Sequence, residues 1–195
     1  MYKRQALIGA MLCAIDHPDA KDMEKLAYLG FCAEVQEFNE PGGMMDHYAS
    51  ALGSLVNLDF TDGKTTVHPL KTQIEGCFIL FDSLAQKNTT KVLADAKTPT
   101  LSALEKLGTD IKMLAADGAV MPDLSLLEEK EKTALLANVS NYKILKEAKE
   151  YFAEGKNEPV QLGALLSAHH ENLRKLGVST EKIDQIIETA CKAGA

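Results

Sequence analysis

Apolar positions recur three and four residues apart along most of the chain and alternate strictly over one short interval. The first pattern lines one face of a helix and the second lines one face of a strand. Ala6 to Ile15 is apolar on nearly every side, which predicts a buried core helix, since it is about half a membrane span. His17-Pro18-Asp19 stops it and caps the next helix. From Asp19 to about Phe38, Met23, Leu26, Ala27, Leu29, Gly30 and Ala33 keep helical spacing. Pro41-Gly42-Gly43 breaks that run, and Met44 to Leu52 predicts a new short helix. Leu55 to Phe60 alternates like a strand, Thr61-Asp62-Gly63-Lys64 reads as a hairpin turn, and Thr65 to Leu70 is the returning strand. Cys77 to Asp82, uninterrupted in its hydrophobicity up to the final Asp, predicts a third, buried strand.

From Thr89 onward the periodicity is helical only. Thr98-Pro99, Met121-Pro122-Asp123 and Glu158-Pro159 are breakers, and each pattern also suits the start of a helix. Ser179-Thr180 supplies a cap for a last helix, Glu181 to Lys192. The expected fold class is α+β: helix-rich, with a small, mostly antiparallel sheet packed with helices.

Composition narrows the class of function. Of 195 residues, 46% are hydrophobic and 25% charged, which is ordinary globular usage. The formal charge of −7 argues against a nucleic-acid or anionic-membrane surface. Trp is absent and aromatics are 6%, so platforms for stacking bases are scarce. Cys13, Cys32, Cys77 and Cys191 lie far apart without a CxxC pair, which fits a reducing cytoplasm rather than a zinc site or disulfide framework. Cys32 and Cys77 fall among apolar neighbours and are expected to be buried and inert.

Chemistry concentrates in Ala33-Glu34 and Pro41-Gly42-Gly43-Met44-Met45-Asp46-His47. Two glycines after a proline let the backbone approach a ligand and turn into a helix. The amides of that helix's first turn suit oxygen-rich ligands. Asp46 sits in that turn, and Glu34 lies one helix end and one loop earlier, so both carboxylates are expected at one site. One carboxylate beside a hydroxyl can orient or deprotonate it, and a second can bind Mg²⁺. Spacing alone favours a structural explanation, because a first-turn Asp is favoured by the helix dipole and Gly-Gly is common in loops.

Other polar features have plainer readings. His169 and His170 are adjacent, point about 100° apart on a helix, and read as packing or solvent-exposed side chains. Ser83 lacks a Gly-x-Ser-x-Gly elbow. The run Glu128 to Lys132 reads as a solvated helix face with local ion pairs. Asn88-Thr89-Thr90-Lys91 suits a phosphate or sugar contact at a helix start and a plain N-cap equally.

Four segments in register carry a family resemblance. Gly43-Met44-Met45-Asp46-His47, leading into Tyr48-Ala-Ser-Ala-Leu-Gly53, resembles the galactokinase segment Gly-Ile-Met-Asp-Gln and its helix. Leu55-Val-Asn-Leu-Asp59 resembles the strand that follows, and Phe78-Ile-Leu-Phe-Asp-Ser83 resembles the family's Ile-x-Asn-Ser strand. Leu162 to Arg174, then Gly177-Val-Ser179 and Ile183-Asp184, resembles Leu-Gly-x-Leu-Met-x-x-Ser-His-x-x-Leu-Arg with its Gly-Val-Ser and Asp. The sequence looks like a member of the GHMP small-molecule kinase superfamily, nearest the galactokinase-like sugar kinases. The resemblance implies ATP and Mg²⁺ as cofactors and a small sugar as substrate, phosphorylated as in galactokinases to a sugar 1-phosphate. It implies Asp46 as the carboxylate contacting the attacking hydroxyl, Glu34 as the Mg²⁺ ligand, and Gly43 as a backbone contact to the sugar.

Departures from the family pattern qualify these implications. His47 stands where galactokinases have Gln, Asp82 replaces the Asn, and the tyrosine expected about a dozen residues past that pair has no counterpart in Asn88 to Ala94. These changes put galactose itself in question and leave an uronic acid, another hexose or a mevalonate-type substrate open. The superfamily's Pro-x-x-x-Gly-Leu-Ser-Ser-Ser-Ala phosphate loop and final glycine-rich segment have no counterpart in this chain. The expectation is therefore the middle of a kinase, with about 1–60 the remainder of an N-terminal lobe and about 61–195 an incomplete C-terminal lobe, inactive by itself. A non-catalytic sugar sensor on the same scaffold, and a helical interaction module, are the alternatives.

Overall fold

The computed structural model describes residues 8–9, 11–38, 42–61, 64–70, 74, 76–84 and 89–194. It is α+β, 63% helical with a two-stranded antiparallel sheet, as the periodicity predicts. Two compact units divide it, Met1–Thr72 and Gln73–Ala195.

In the first unit a 3₁₀ turn, Pro18–Lys21, leads into α1, Met23–Phe31. The cap of α1 is Asp22, whose carboxylate accepts from the Lys25 N–H at 2.9 Å. A π-helical turn, Cys32–Gln36, extends α1, and the Glu37 N–H reaches back to the Cys32 carbonyl at 2.9 Å. α2, Met45–Leu52, packs against α1, burying Leu26, Ala27 and Gly30 on one side and His47 and Tyr48 on the other. β1, Val56–Thr61, pairs antiparallel with β2, Lys64–Pro69. Thr61 pairs with Lys64, so Asp62-Gly63, the predicted turn pair, falls between the strand ends and outside the described residues.

The predicted core helix at Ala6–Ile15 needs correction. Residues 8–9 and 11–14 are helical, but Met11 and Ile15 are 62% and 69% exposed. One side of the segment faces α1, where a Cβ on Gly9 would lie 3.6 Å from the Leu26 side chain. A helix apolar on all sides needs neighbours on all sides to be buried, and Ala6, Leu7 and Ala10 lie outside the described residues.

The second unit is helical: α3, Thr89–Leu107; α4, Ile111–Leu114; α5, Glu129–Ala153; α6, Pro159–Lys175; and α7, Glu181–Lys192. α5 packs against α3, α4 and α6. Its core joins Ala103, Leu114, Ala115, Leu127, Leu135 and Val139. Buried polar contacts tie the helices together. Asn172 of α6 donates to Ser140 and Asn141 of α5, both at 2.9 Å, and Asn138 donates to Thr100 at 2.9 Å. Glu131 accepts from Ser102 at 2.6 Å, from Lys106 at 2.6 and 2.7 Å, and from its own Glu128 N–H at 2.9 Å. The Lys106 ammonium, then the Ser102 hydroxyl and the Glu128 amide, lower the Glu131 pKa to about 2. Asp184 of α7 accepts from Ser179 at 2.7 Å, meets His170 of α6 at 3.0 Å, and pairs with Arg174 at 3.2 Å. The Ser179 hydroxyl, with His170 and Arg174, holds its carboxyl below the usual carboxylate range. The Gly-Val-Ser and Asp signature is thus a latch between α6 and α7.

Several expectations are overturned in this unit. Cys77 to Asp82 forms no strand: Phe78, Ile79 and Leu80 are 78%, 69% and 98% exposed. A strand is made by its ladder of hydrogen bonds, and no described strand pairs with this segment. Cys77 is accordingly exposed and Cys32, in the first unit, only half-buried. Pro99 lies inside α3 instead of starting a helix, with the Thr98 hydroxyl bonding the Ala94 carbonyl at 2.9 Å beside it. Pro122 lies in a loop before α5, whereas Pro159 does open α6. Within Glu128–Lys132, Lys132 and Glu129 form the expected ion pair at 2.7 Å, but Glu131 is buried by α3. His170 has an acidic partner, Asp184, that only the fold brings near.

Candidate functional site

Glu34 stands on the π-helical turn that continues α1. Asp46 and His47 stand in the first turn of α2, where the His47 and Tyr48 amides both reach the Met44 carbonyl at 3.1 Å. Gly42 and Gly43 lead into that turn.

The two glycines differ in what the fold asks of them. A Cβ on Gly42 would sit 2.8 Å from Cγ2 of the buried Val35, so the chain passes the π-helical turn at a distance only glycine permits. A Cβ on Gly43 would meet nothing within 4 Å. Packing therefore explains Gly42 and leaves Gly43 unexplained.

Glu34 reaches α2 through His47. His47 Nε2 lies 3.2 Å from Glu34 Oε2, with the imidazole side chain 4% exposed and the carboxylate side chain 24% exposed. Phe31 meets the same ring edge-on, at 5.8 Å between centroids and 81° between planes. His47 Nδ1 is buried without a hydrogen-bond partner among the described residues. Asp46 is exposed, and its backbone carbonyl accepts from the Ser50 hydroxyl at 2.5 Å. Glu34 is thus joined to the residue next to Asp46, at the turn that Gly43 enters.

Residue patterns singled out Glu34, Gly43 and Asp46 but not the bond that joins the first to α2. A signal was present: His47 shares the inward face of α2 with Tyr48, three and four positions after Met44.

The donor set can be tested against Mg²⁺. Among the described residues no group of three His, Cys, Asp or Glu side chains forms an all-protein cage. Mg²⁺ commonly takes one or two carboxylates and completes its shell with water and phosphate oxygens, and the partly exposed Glu34 carboxylate fits that use. Among the described residues no helix is long and apolar enough to cross a membrane.

The chain is similar to galactokinases of Mycobacterium tuberculosis (strain H37Rv) and Mycobacterium bovis (strain AF2122/97), each 29% identical over an alignment 211 positions long. The similarity covers 97% of this chain and 54% of each relative, so the chain spans about half the length of the curated relatives it matches. No family model matches it, and no solved structure matches it. The comparison supports a distant likeness to galactokinases along nearly the whole chain.

Proposed function

We propose that this chain belongs to an ATP-dependent sugar kinase of galactokinase type and carries part of its sugar and metal site. The observation that carries the reading is the likeness to galactokinases over 97% of the chain. The joining of Glu34 to the turn bearing Asp46 supports it.

In this reading the exposed Asp46 carboxylate accepts a hydrogen bond from a sugar hydroxyl and orients it. The hydroxyl oxygen bonds to the γ-phosphorus of ATP, the bond from that phosphorus to the β–γ bridging oxygen breaks, and ADP leaves. The hydroxyl proton passes to Asp46 and then to solvent. Glu34 would hold Mg²⁺, which when bound would supply neutralisation of the charge on the phosphate oxygens. The Gly43 backbone, where an added Cβ would meet nothing within 4 Å, lies against the sugar.

The test completes the chain with the phosphate-loop and glycine-rich segments for which it has no counterpart, incubates that protein with γ-labelled ATP, Mg²⁺ and a panel of hexoses and uronic acids, and measures sugar binding separately by ligand-observed NMR; the chain by itself should transfer no label. Label should pass to one sugar. Asp46→Asn should slow transfer by about 10²- to 10⁴-fold, the usual worth of a general base, while sugar affinity stays within about threefold of the parent. Parent-like transfer in that variant refutes the role of Asp46. Sugar binding without any transfer favours the sensor reading over the kinase.

A further inference from the structure

We propose that His47 is a positioning residue: its imidazole fixes the Glu34 carboxylate at the first turn of α2, in the orientation that receives a divalent cation. This rests on the reading of Glu34 as a metal ligand, and names the group that makes it one.

Three observations converge on the ring. Nε2 lies 3.2 Å from Glu34 Oε2, and a carboxylate can only accept, so the proton belongs on Nε2. Nδ1 is then the bare acceptor. It is buried without a partner among the described residues, and an unpaired acceptor is more readily tolerated there than an unpaired N–H. Phe31, three residues before Glu34, presses edge-on against the ring. Phe31 and Glu34 thus grip the same imidazole from α1 and its π-helical extension.

The arrangement does more than fill the α1–α2 interface. A residue with only a packing role at this position would be apolar, and would leave no orphaned nitrogen. The bond also restricts the Glu34 side chain, lowering the ordering entropy lost when a cation binds. Partners that orient a metal ligand are typically worth 10- to 100-fold in metal affinity. The π-helical turn carrying Glu34 adds to the picture, since such turns recur at functional sites.

Mn²⁺ serves as the probe, titrated into the protein and followed by electron paramagnetic resonance. His47→Leu should raise the Mn²⁺ dissociation constant by about 10- to 100-fold. His47→Gln, which keeps an N–H donor of similar reach, should stay within about threefold of the parent. Long-range ¹⁵N–¹H NMR of the parent should show His47 as the Nε2–H tautomer. Unchanged Mn²⁺ binding in His47→Leu, equal losses in the Leu and Gln variants, or an Nδ1–H tautomer overturns the proposal. Should His47→Leu fail to fold, the Gln variant and the tautomer still decide. Glu34→Gln separates the underlying reading: if it binds Mn²⁺ as tightly as the parent, the metal-ligand assignment of Glu34 is what fails.

Discussion

Leu135→Ala tests the account of the second unit's core. Leu135 is fully buried at the middle of the cluster formed with Ala103, Leu114, Ala115, Leu127 and Val139. Truncation to Ala removes three carbon-sized groups, worth about 2.4 kcal/mol at ~0.8 kcal/mol each. A cavity term adds to this, growing by about 24 cal/mol per Å³ left unfilled. Two of the five other buried members of the cluster are alanines, which have no side chain to swing into the gap, while Leu104, Leu107, Ile111, Met121, Leu124 and Tyr142 pack around it, so collapse is partial. The total should therefore be about 3 to 4 kcal/mol, inside the observed range for such changes. For a unit of roughly 120 residues that is a fall in Tm of about 10 to 20 °C. Leu136, next along the same helix and 45% exposed, is the control. Leu136→Ala makes the same change in helix propensity but leaves little cavity, and should cost about 1 kcal/mol or less. Urea unfolding followed by circular dichroism measures both. Equal costs for Leu135→Ala and Leu136→Ala would refute the reasoning, because burial is the only difference it invokes.

Two further outcomes follow from the geometry. Gly42→Ala forces a Cβ to 2.8 Å from the Val35 side chain, whose β-branched χ1 has little room to turn, so thermal unfolding should show a loss of about 1 to 3 kcal/mol. Gly43→Ala meets open space and should stay within about 0.5 kcal/mol of the parent; equal losses would refute the distinction. Glu131 has a folded pKa of about 2 against an ordinary 4.5, so its contribution is fully present above the ordinary value and fades as pH falls toward about 2. The stability difference between the parent and Glu131→Gln should therefore shrink from about pH 6 to about pH 3 in urea titrations, and a constant difference would contradict the Lys106 and Ser102 contacts.

The features legible in the sequence are those that a few neighbouring residues decide. Pro159 opens α6 because its missing N–H costs nothing at a first helical turn. Thr180 caps α7 by accepting from the Ile183 amide at 3.3 Å. The alternation of Leu55 to Phe60 and the Asp-Gly pair after it anticipate a hairpin in which Leu58 faces Val67. What only the tertiary structure decided are the matters that depend on a partner distant along the chain. An apolar run at Phe78 to Phe81 becomes a strand only where another strand supplies its ladder. Glu131 sits in a run of charges that looks solvated until α3 covers it. Asp184 meets His170 only when α7 folds back, and Glu34 meets His47 only when α2 lies against α1. Hydrophobic period and capping chemistry act over one or two turns. Burial and hydrogen-bond partnership are set across the fold, and the contact between Glu34 and His47 belongs to that second kind.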